Sequence, residues 1–301
     1  MKRVVSISLG SSKRDHRAMA EFGGETFSIE RIGTDGNKKK FIQLINELDG
    51  KVDAFGMGGT DLYIYAGNKR YIFKESAKIA AIAKTTPIVD GSGIKNTLER
   101  RVVQYLKEKE GISFQDKKVL VVCAVDRFGL AEELVAAGSQ AVFGDLLFGL
   151  GVPVPIRSLK TLALLARVIA PVITRLPIEM FYPTGKSQTQ NIPRFSPYFE
   201  QAEFIAGDFH FIRRYMPADL KGKTVITNTV TQKDEELLRE RGIKTLITTT
   251  PEIGGRSFGT NVLEAVLVTL IDKNPEAITA LDYERILDQI DIRPRVRQFS
   301  K

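Results

Sequence analysis

The chain has 301 residues, of which 43% are hydrophobic and 27% are charged. This length and composition predict a substantial buried core in two domains and exclude wholesale disorder. Cys123 is the only cysteine, which excludes a disulfide framework and a thiolate metal cluster. The two histidines lie too far apart for a zinc motif, so we expect no metal site.

No apolar run approaches the roughly 20 residues of a membrane span, and the N-terminus lacks a signal-peptide pattern. We therefore expect a cytoplasmic protein with no membrane partner. The net charge of +8 is dispersed over short Lys/Arg clusters that are not interleaved with aromatic residues, so no nucleic-acid partner is predicted. The charge fits attraction of an anionic substrate or cofactor, or simply solvated surfaces.

The first part of the chain predicts a mixed α+β domain over residues 1–93. Alternating apolar residues indicate strands, and the spacing of Phe41, Ile45 and Leu48 indicates an amphipathic helix. The predicted elements are a strand at 3–9, a hairpin at 16–32, a helix at 38–50, a strand at 52–59, a hairpin at 62–73 and a helix at 74–84.

A loop at 10–16 follows the first strand and contains Ser11 and Ser12. Hydroxyl and backbone N–H groups in such a loop can bind an anion, so both serines are substrate-binding candidates. The alternative is a polar entry into the hairpin.

A turn and a linker helix follow the first domain. Pro87, Gly91 and Gly93 punctuate a turn that presents Asp90, Ser92 and Lys95. Apolar residues at helical spacing then predict a linker helix over 94–110.

Residues 111–275 predict a Rossmann-like parallel-sheet domain, and 276–301 a C-terminal helix and tail. An apolar strand at 117–125, a turn and helix at 126–138 and a second strand at 140–147 form a β-α-β unit. Asp145, near the end of that second strand, is expected to accept hydrogen bonds from an adenosine ribose, which favours NAD over NADP.

The turn between strand and helix departs from the usual fingerprint of three glycines. The residues expected at the cofactor are Asp126, Arg127, Phe128 and Gly129, and only Gly129 falls near a fingerprint position. Asp126 would repel a phosphate unless Arg127 compensates. This departure argues against an ordinary dinucleotide site.

The segment 149–200 is unusual, with a helix of about 12 residues expected to be cut by Pro171 and a polar loop at 181–195. A dimer contact, a lid and an insertion are considered in that order, and a homodimer is the general expectation. A strand at 202–211 is expected to deliver Asp208 and His210 to its carboxyl end. His210 is a candidate acid/base, and the alternative is a structural histidine.

The segment from Val89 to Ile94, followed by Leu98 and the strand VLVVCAV (119–125), resembles the shikimate/quinate dehydrogenase family in order and spacing. The resemblance implies a substrate domain followed by a cofactor domain. It also implies an NAD(P)-dependent oxidoreductase that transfers a hydride to or from a hydroxylated cyclic carboxylate.

The resemblance also implies roles for single residues. Asp90 takes the place of the catalytic aspartate, and Ser11 and Ser12 loosely match a serine pair that holds the substrate carboxylate. The family's lysine motif is absent, so Lys74, Lys78 and Lys95 are candidates. Asn228 and Thr229 fall where the family has a turn near the nicotinamide. The helix predicted at 254–271 resembles the family's last helix. Its first turn, with Asn261, is a candidate anion site, and the alternative is that Asn261 only caps the helix.

Two other functions remain open. The missing glycines fit a transferase or lyase of the same fold that uses another nucleotide. The long 149–200 segment fits a non-catalytic ligand-binding protein.

Overall fold

The computed structural model describes residues 1–66, 69–177, 190–253, 256–271 and 273–299. It is an α/β structure built on two sheets that are mainly parallel, as the sequence predicted. The first sheet comes from the N-terminal part of the chain and the second from the residues that follow the linker helix. Within the described residues, no helix is both long and apolar enough to cross a membrane.

The first sheet has the order β2-β3-β1-β4-β7, in which β2 and β3 form an antiparallel hairpin and the other neighbours are parallel. Phe41 and Ile45 on α1 pack in the core of this sheet. Its elements are β1 (Lys2–Ser8), β2 (His16–Phe22), β3 (Glu25–Gly33), α1 (Lys38–Leu48), β4 (Ala54–Gly58), the separate hairpin β5 (Tyr63–Ala66) and β6 (Lys69–Ile72), α2 (Lys74–Ala80) and β7 (Ile88–Val89).

The second sheet has the order β15-β12-β11-β10-β8-β9, in which only β15 is antiparallel to its neighbour. Its elements follow the linker helix α3 (Ser92–Glu108). They are β8 (Lys118–Val121), α4 (Phe128–Ala136), β9 (Gln140–Phe143), α5 (Leu159–Ile173), α6 (Ser196–Gln201), β10 (Phe204–Ala206), α7 (Phe209–Tyr215), β11 (Thr224–Thr227), α8 (Gln232–Glu240), β12 (Thr245–Thr248), the short pair β13 (Glu252–Ile253) and β14 (Arg256–Ser257), α9 (Thr260–Leu270), α10 (Ala280–Gln289) and β15 (Arg295–Gln298).

Three local predictions were wrong. The strand predicted at 140–147 does not reach Asp145, because β9 stops at Phe143 and Asp145 begins a single π-helical turn. Asp208 and His210 do not share a strand, because Asp208 caps the N-terminus of α7 through its bond from the His210 N–H, and His210 lies in that helix. Pro171 does not cut its helix, since α5 continues through it to Ile173. Of the polar loop predicted at 181–195, residues 181–189 lie outside the described residues.

Helix α9 lies within the range predicted for the second domain, yet it packs on the first sheet. Its residues Val262, Ala265 and Val266 share a core with Val4 and Ala54 of that sheet. The chain therefore crosses between the two sheets three times, first through α3, then through the return of α9, and last when β15 pairs with β12 of the second sheet.

Gly91, directly before α3, allows this close packing. It has φ +97°, and a Cβ built on it would lie 2.7 Å from the Asn261 backbone nitrogen. A side chain here would be strained by the left-handed backbone and would also push α9 away.

We expect Gly91→Ala to lower the free energy of unfolding by about 2–4 kcal/mol, since strain and steric overlap add. Gly24→Ala is the matched control, because Gly24 also has a positive φ of +77° but nothing lies within 4 Å of its added Cβ. The control is expected to cost only about 1 kcal/mol. Urea denaturation measures both values, and equal losses would show that close packing of α9 does not constrain Gly91.

Candidate functional site

A cavity of about 390 Å³ lies between the two sheets. Residues at the carboxyl ends of β1, β4, β7, β8, β10 and β11 contribute to its wall, which is where parallel α/β sheets place their ligands. Most of the predicted site residues line it: Asp90, Lys95, Asp126, Arg127, Asp145, His210, Asn228, Thr229 and Asn261.

The other predicted candidates lie outside the wall of this cavity. Lys74 and Lys78 are exposed on α2. Ser11 caps a short turn through its bond from the Lys13 N–H, and the Ser12 N–H donates to Asp35. The remaining three candidates make other contacts. The Ser92 hydroxyl bonds to Asp90, and Phe128 packs in the core of the second sheet. The Gly129 N–H donates to Asn96.

Lys95 is buried between two carboxylates. Its Nζ lies 2.7 Å from Asp126 Oδ1 and 3.5 Å from Asp61 Oδ1. Burial acts to lower the pKa of Lys95, but Asp126 and Asp61 outweigh it and the net shift is upward. Lys95 is therefore an ammonium ion at neutral pH that can donate to a ligand but cannot accept a proton from it.

The pKa of Asp126 lies above its ordinary value of 3.8. Burial raises the pKa of its carboxyl to about 6, with Asp61 adding to the rise and Lys95 opposing it. A carboxylate with a pKa close to the working pH is suited to general acid/base catalysis.

Asp90 is held by three hydrogen bonds. Its Oδ2 accepts from the Leu62 N–H at 2.5 Å, and its Oδ1 accepts from the Ser92 hydroxyl at 2.7 Å and from the Ser92 N–H at 3.2 Å. These bonds fix Asp90 in the wall beside the start of α3. Through these contacts Asp90 positions the loop before α3.

Arg127 is only 2% exposed and joins two acidic residues. Its guanidinium pairs with the buried Glu99 and lies 3.4 Å from Asp208 Oδ2. Burial acts to raise the pKa of Asp208, but His210, Arg127 and other hydrogen-bond donors lower it to about 2. We attribute the lowering mainly to Arg127 and the Asn228 amide, because His210 is neutral at this position.

The neutrality of His210 follows from its contact with Arg14. Arg14 Nη1 lies 3.0 Å from His210 Nε2, and a guanidinium can only donate. Nε2 must therefore accept, which leaves the ring proton on Nδ1. Burial and the Arg14 charge lower the pKa of His210 to about 4, in agreement with that assignment.

Asp145 closes the turn where a dinucleotide pyrophosphate would lie. Its carboxylate accepts from the Val125 N–H at 2.8 Å and from the Ala124 N–H at 3.1 Å. Burial raises the pKa of Asp145 to about 6 while these donors oppose the rise. The N–H groups that would cradle a phosphate are thus engaged by the chain's own carboxylate.

Gly129, the one glycine near a fingerprint position, has a packing role. A Cβ on it would lie 2.6 Å from the Asn96 carbonyl oxygen, so it lets α4 approach α3. With its N–H bonded to Asn96 and Asp145 closing the turn, the residues present do not fit the usual pyrophosphate site.

Three arginines of the wall, Arg14, Arg31 and Arg214, were not selected from the sequence. The position of Arg14 in the sequence could have indicated a place in the site, because Arg14 follows the serine pair in the same loop. Arg31 lies on a strand and Arg214 in a short basic cluster, where a solvated surface is the usual interpretation.

Two family models match the chain. Residues 93–299 match the model described as "Domain of unknown function (DUF8754)". The chain belongs to this family. Residues 3–90 match a second model, "Domain of unknown function (DUF8753)". Neither description carries an activity, and a search of curated proteins finds no match.

Several solved structures are similar over most of the chain. A galactofuranose binding protein is 12% identical, with 97% of this chain and 99% of that chain covered and a TM-score of 0.35. A solute binding protein from Burkholderia graminis in complex with D-arabinose is 10% identical, with 100% and 95% covered and a TM-score of 0.38. An NAD-dependent malic enzyme from Thermotoga maritima is 13% identical, with 96% and 84% covered and a TM-score of 0.32. Scores this low do not indicate a function.

Behind Asp90, the buried Glu264 predicts a pH-dependent stability. Its Oε2 accepts from the Gly91 N–H and its Oε1 from the Tyr283 hydroxyl, both at 2.6 Å. Burial, reinforced by Asp90, raises the pKa of Glu264 to about 8 from an ordinary 4.5. The folded state thus prefers the protonated form, so the contribution of Glu264 to stability is greatest below pH 4.5 and is lost as the pH rises to about 8.

We expect Glu264→Gln to remove this loss, which is on the order of 3–5 kcal/mol between those limits. Urea unfolding of both proteins at several pH values gives the difference between their free energies of unfolding. This difference should shift in favour of the variant as the pH rises. The exposed Glu276→Gln is the control and should show a constant difference. A constant difference for Glu264→Gln would contradict the raised pKa.

Proposed function

We propose that the chain is an enzyme that binds a small hydroxylated anion in the cavity and transfers a proton from it to Asp126, while Lys95 stabilises the negative charge that develops. The observation that carries the proposal is the contact of 2.7 Å between the Asp126 carboxylate and Lys95 Nζ in the cavity wall. Burying such charges is costly, and groups of this kind with shifted pKa values occur preferentially at functional sites.

The two residues take different roles. Asp126, with a pKa of about 6, accepts a proton from a substrate carbon next to a carbonyl or carboxylate group, so the C–H bond breaks as an O–H bond forms on Asp126. Lys95 stays protonated and donates a hydrogen bond to the substrate oxygen on which negative charge develops. Asp61 lies 3.5 Å from Lys95 Nζ and helps to keep the lysine charged and in place.

A second candidate is an NAD-dependent oxidoreductase acting on a quinate- or shikimate-like hydroxylated carboxylate. It is favoured by the placement of Asp90, Lys95, Asn228 and Thr229 around one cavity. The closure of the turn by Asp145 weighs against it. Binding without turnover is the remaining alternative.

The first test is hydrogen exchange in D₂O, followed by NMR, with quinate, shikimate and short 2-hydroxy and 2-oxo acids as probes. Proton transfer at Asp126 predicts incorporation of deuterium at a substrate carbon without any added cofactor. Asp126→Asn is expected to slow the exchange by about 10²–10⁴-fold, the usual contribution of a general base. The exposed Asp116→Asn serves as the control. Probes that bind without exchange would reject the proton-transfer function.

The second test is thermal denaturation with NAD, NADH, NADP and NADPH. With the turn closed by Asp145, we expect no dinucleotide to raise the melting temperature. A rise caused by NAD and lost in Asp145→Ala would support the oxidoreductase instead.

The homodimer and the cytoplasmic location stay predictions. Leu164, Val168 and Val172 form an exposed apolar row on α5 within the segment considered as a dimer contact. Light scattering on the purified protein measures its oligomeric state.

A further inference from the structure

We propose that the natural ligand of the cavity is amphipathic, with an oxyanion head held at Arg214 and an apolar tail packed against α5. This inference deepens the proposed function and rests on it for the choice of cavity. It specifies the class of substrate that the cavity would take.

The wall of the cavity has a polar side and an apolar side. The polar side comes from the strand ends and the start of α9, with Ser6, Asp90, Asn228 and Asn261. The apolar side comes from α5, the β5–β6 hairpin with the following Phe73, and the π-helical turn after β9. Ile64, Phe73 and Ala170 of this side pack together in one cluster. These three residues therefore form one apolar surface of the wall.

Helix α7 lies where the two sides meet. Its wall residues form two neighbouring rows at i, i+4 spacing, which places the members of each row on one face. One row is polar, with His210 and Arg214, and the other is apolar, with Phe211 and Tyr215. A ligand that contacts α7 therefore meets a cation and an apolar surface side by side.

Arg214 differs from the other cations of the wall. Arg14, Arg31, Lys95 and Arg127 each lie within 4.0 Å of a carboxylate. In the described part of the chain no carboxylate lies that close to Arg214, and this is the difference. Its buried Nε has no hydrogen-bond acceptor, a feature that Arg127 shares although Glu99 pairs with the rest of that guanidinium. Its guanidinium instead lies 5.7 Å from the centre of the Tyr215 ring.

A buried N–H without an acceptor is costly, and a bound oxyanion would supply the acceptor. A guanidinium binds carboxylate and phosphate through paired hydrogen bonds, so both groups share the required chemistry. The cavity volume of about 390 Å³ falls within the range of about 300–1,000 Å³ that is usual for drug-sized ligands. A short hydroxy acid would leave the apolar side in contact with water.

The test is isothermal titration of the full chain with straight-chain 2-hydroxycarboxylates of increasing length and with the matching alkyl phosphates. Affinity is expected to rise about fourfold for each methylene added, until the apolar side is filled. The series with the higher affinity identifies the head group. Arg214→Gln is expected to weaken binding of every member about tenfold or more.

Ala166 on α5 is 2% exposed and lines the cavity, so a larger side chain there would fill the apolar side. Ala166→Phe, or the milder Ala166→Leu if the first variant is unstable, is expected to abolish the length dependence while short members still bind. Val168→Phe on the same helix is the control, because Val168 is 66% exposed and outside the wall.

Three results would overturn the amphipathic ligand. They are an affinity that does not depend on chain length, a length dependence that persists in Ala166→Leu, and no binding at all. Length-dependent binding without deuterium exchange would leave it standing and reject the proton-transfer function. Deuterium exchange without length-dependent binding would support the proton-transfer function and reject the amphipathic ligand.

Discussion

The contact between α3 and the turn that opens the second sheet organises the rest of the structure. Three residues on one side of α3, Lys95, Asn96 and Glu99, bind the segment 126–129. Lys95 pairs with Asp126, Asn96 accepts from the Gly129 N–H, and Glu99 pairs with Arg127. Two of these contacts are buried ion pairs, so removing one partner would leave an uncompensated charge. The linker helix is in this way fixed to the second sheet.

The same contact gives the cavity its charged groups. Asp126 and Arg127 face α3 through their ion pairs and also line the cavity. On the far side Arg127 reaches Asp208, which caps α7 and bonds to Asn228. A chain of polar contacts therefore runs from α3 across the turn to the ends of β10 and β11. The relative positions of the ligand-facing groups depend on the packing of α3.

Much of the fold could be predicted from the sequence, because periodic apolar residues report local structure directly. The strand and helix pattern of the first domain and the parallel sheet of the second are confirmed. The errors at Asp145, His210 and Pro171 share a cause. Each concerned where an element ends or continues, which capping and packing decide after the chain has folded. No alternation of residues distinguishes Asp208 at a strand end from Asp208 as a helix cap.

The cavity residues were harder to predict than the elements. Asp90 and Lys95 could be selected because glycines and a proline mark their loop. Arg14 and Arg214 could not, because an arginine in a charged stretch has the same local pattern whether it faces water or a cavity. Only the placement of α7 opposite the loop at 10–16 brings Arg14 to His210, so the signal is tertiary.

Asp145 shows how one departure from a sequence pattern can account for another. The turn at 123–129 lacks two glycines, and these are needed when a phosphate must approach the backbone closely. A carboxylate attached to the following segment reaches the same N–H groups of Ala124 and Val125 within the chain. Because these N–H groups bond to Asp145, the turn does not accommodate a phosphate and does not require the two glycines. Gly129 has a separate packing role, because it lets α4 lie close to Asn96. The glycine-poor turn and the acid after β9 therefore form one structural unit, and ligand binding is left to the groups on the cavity side of that turn.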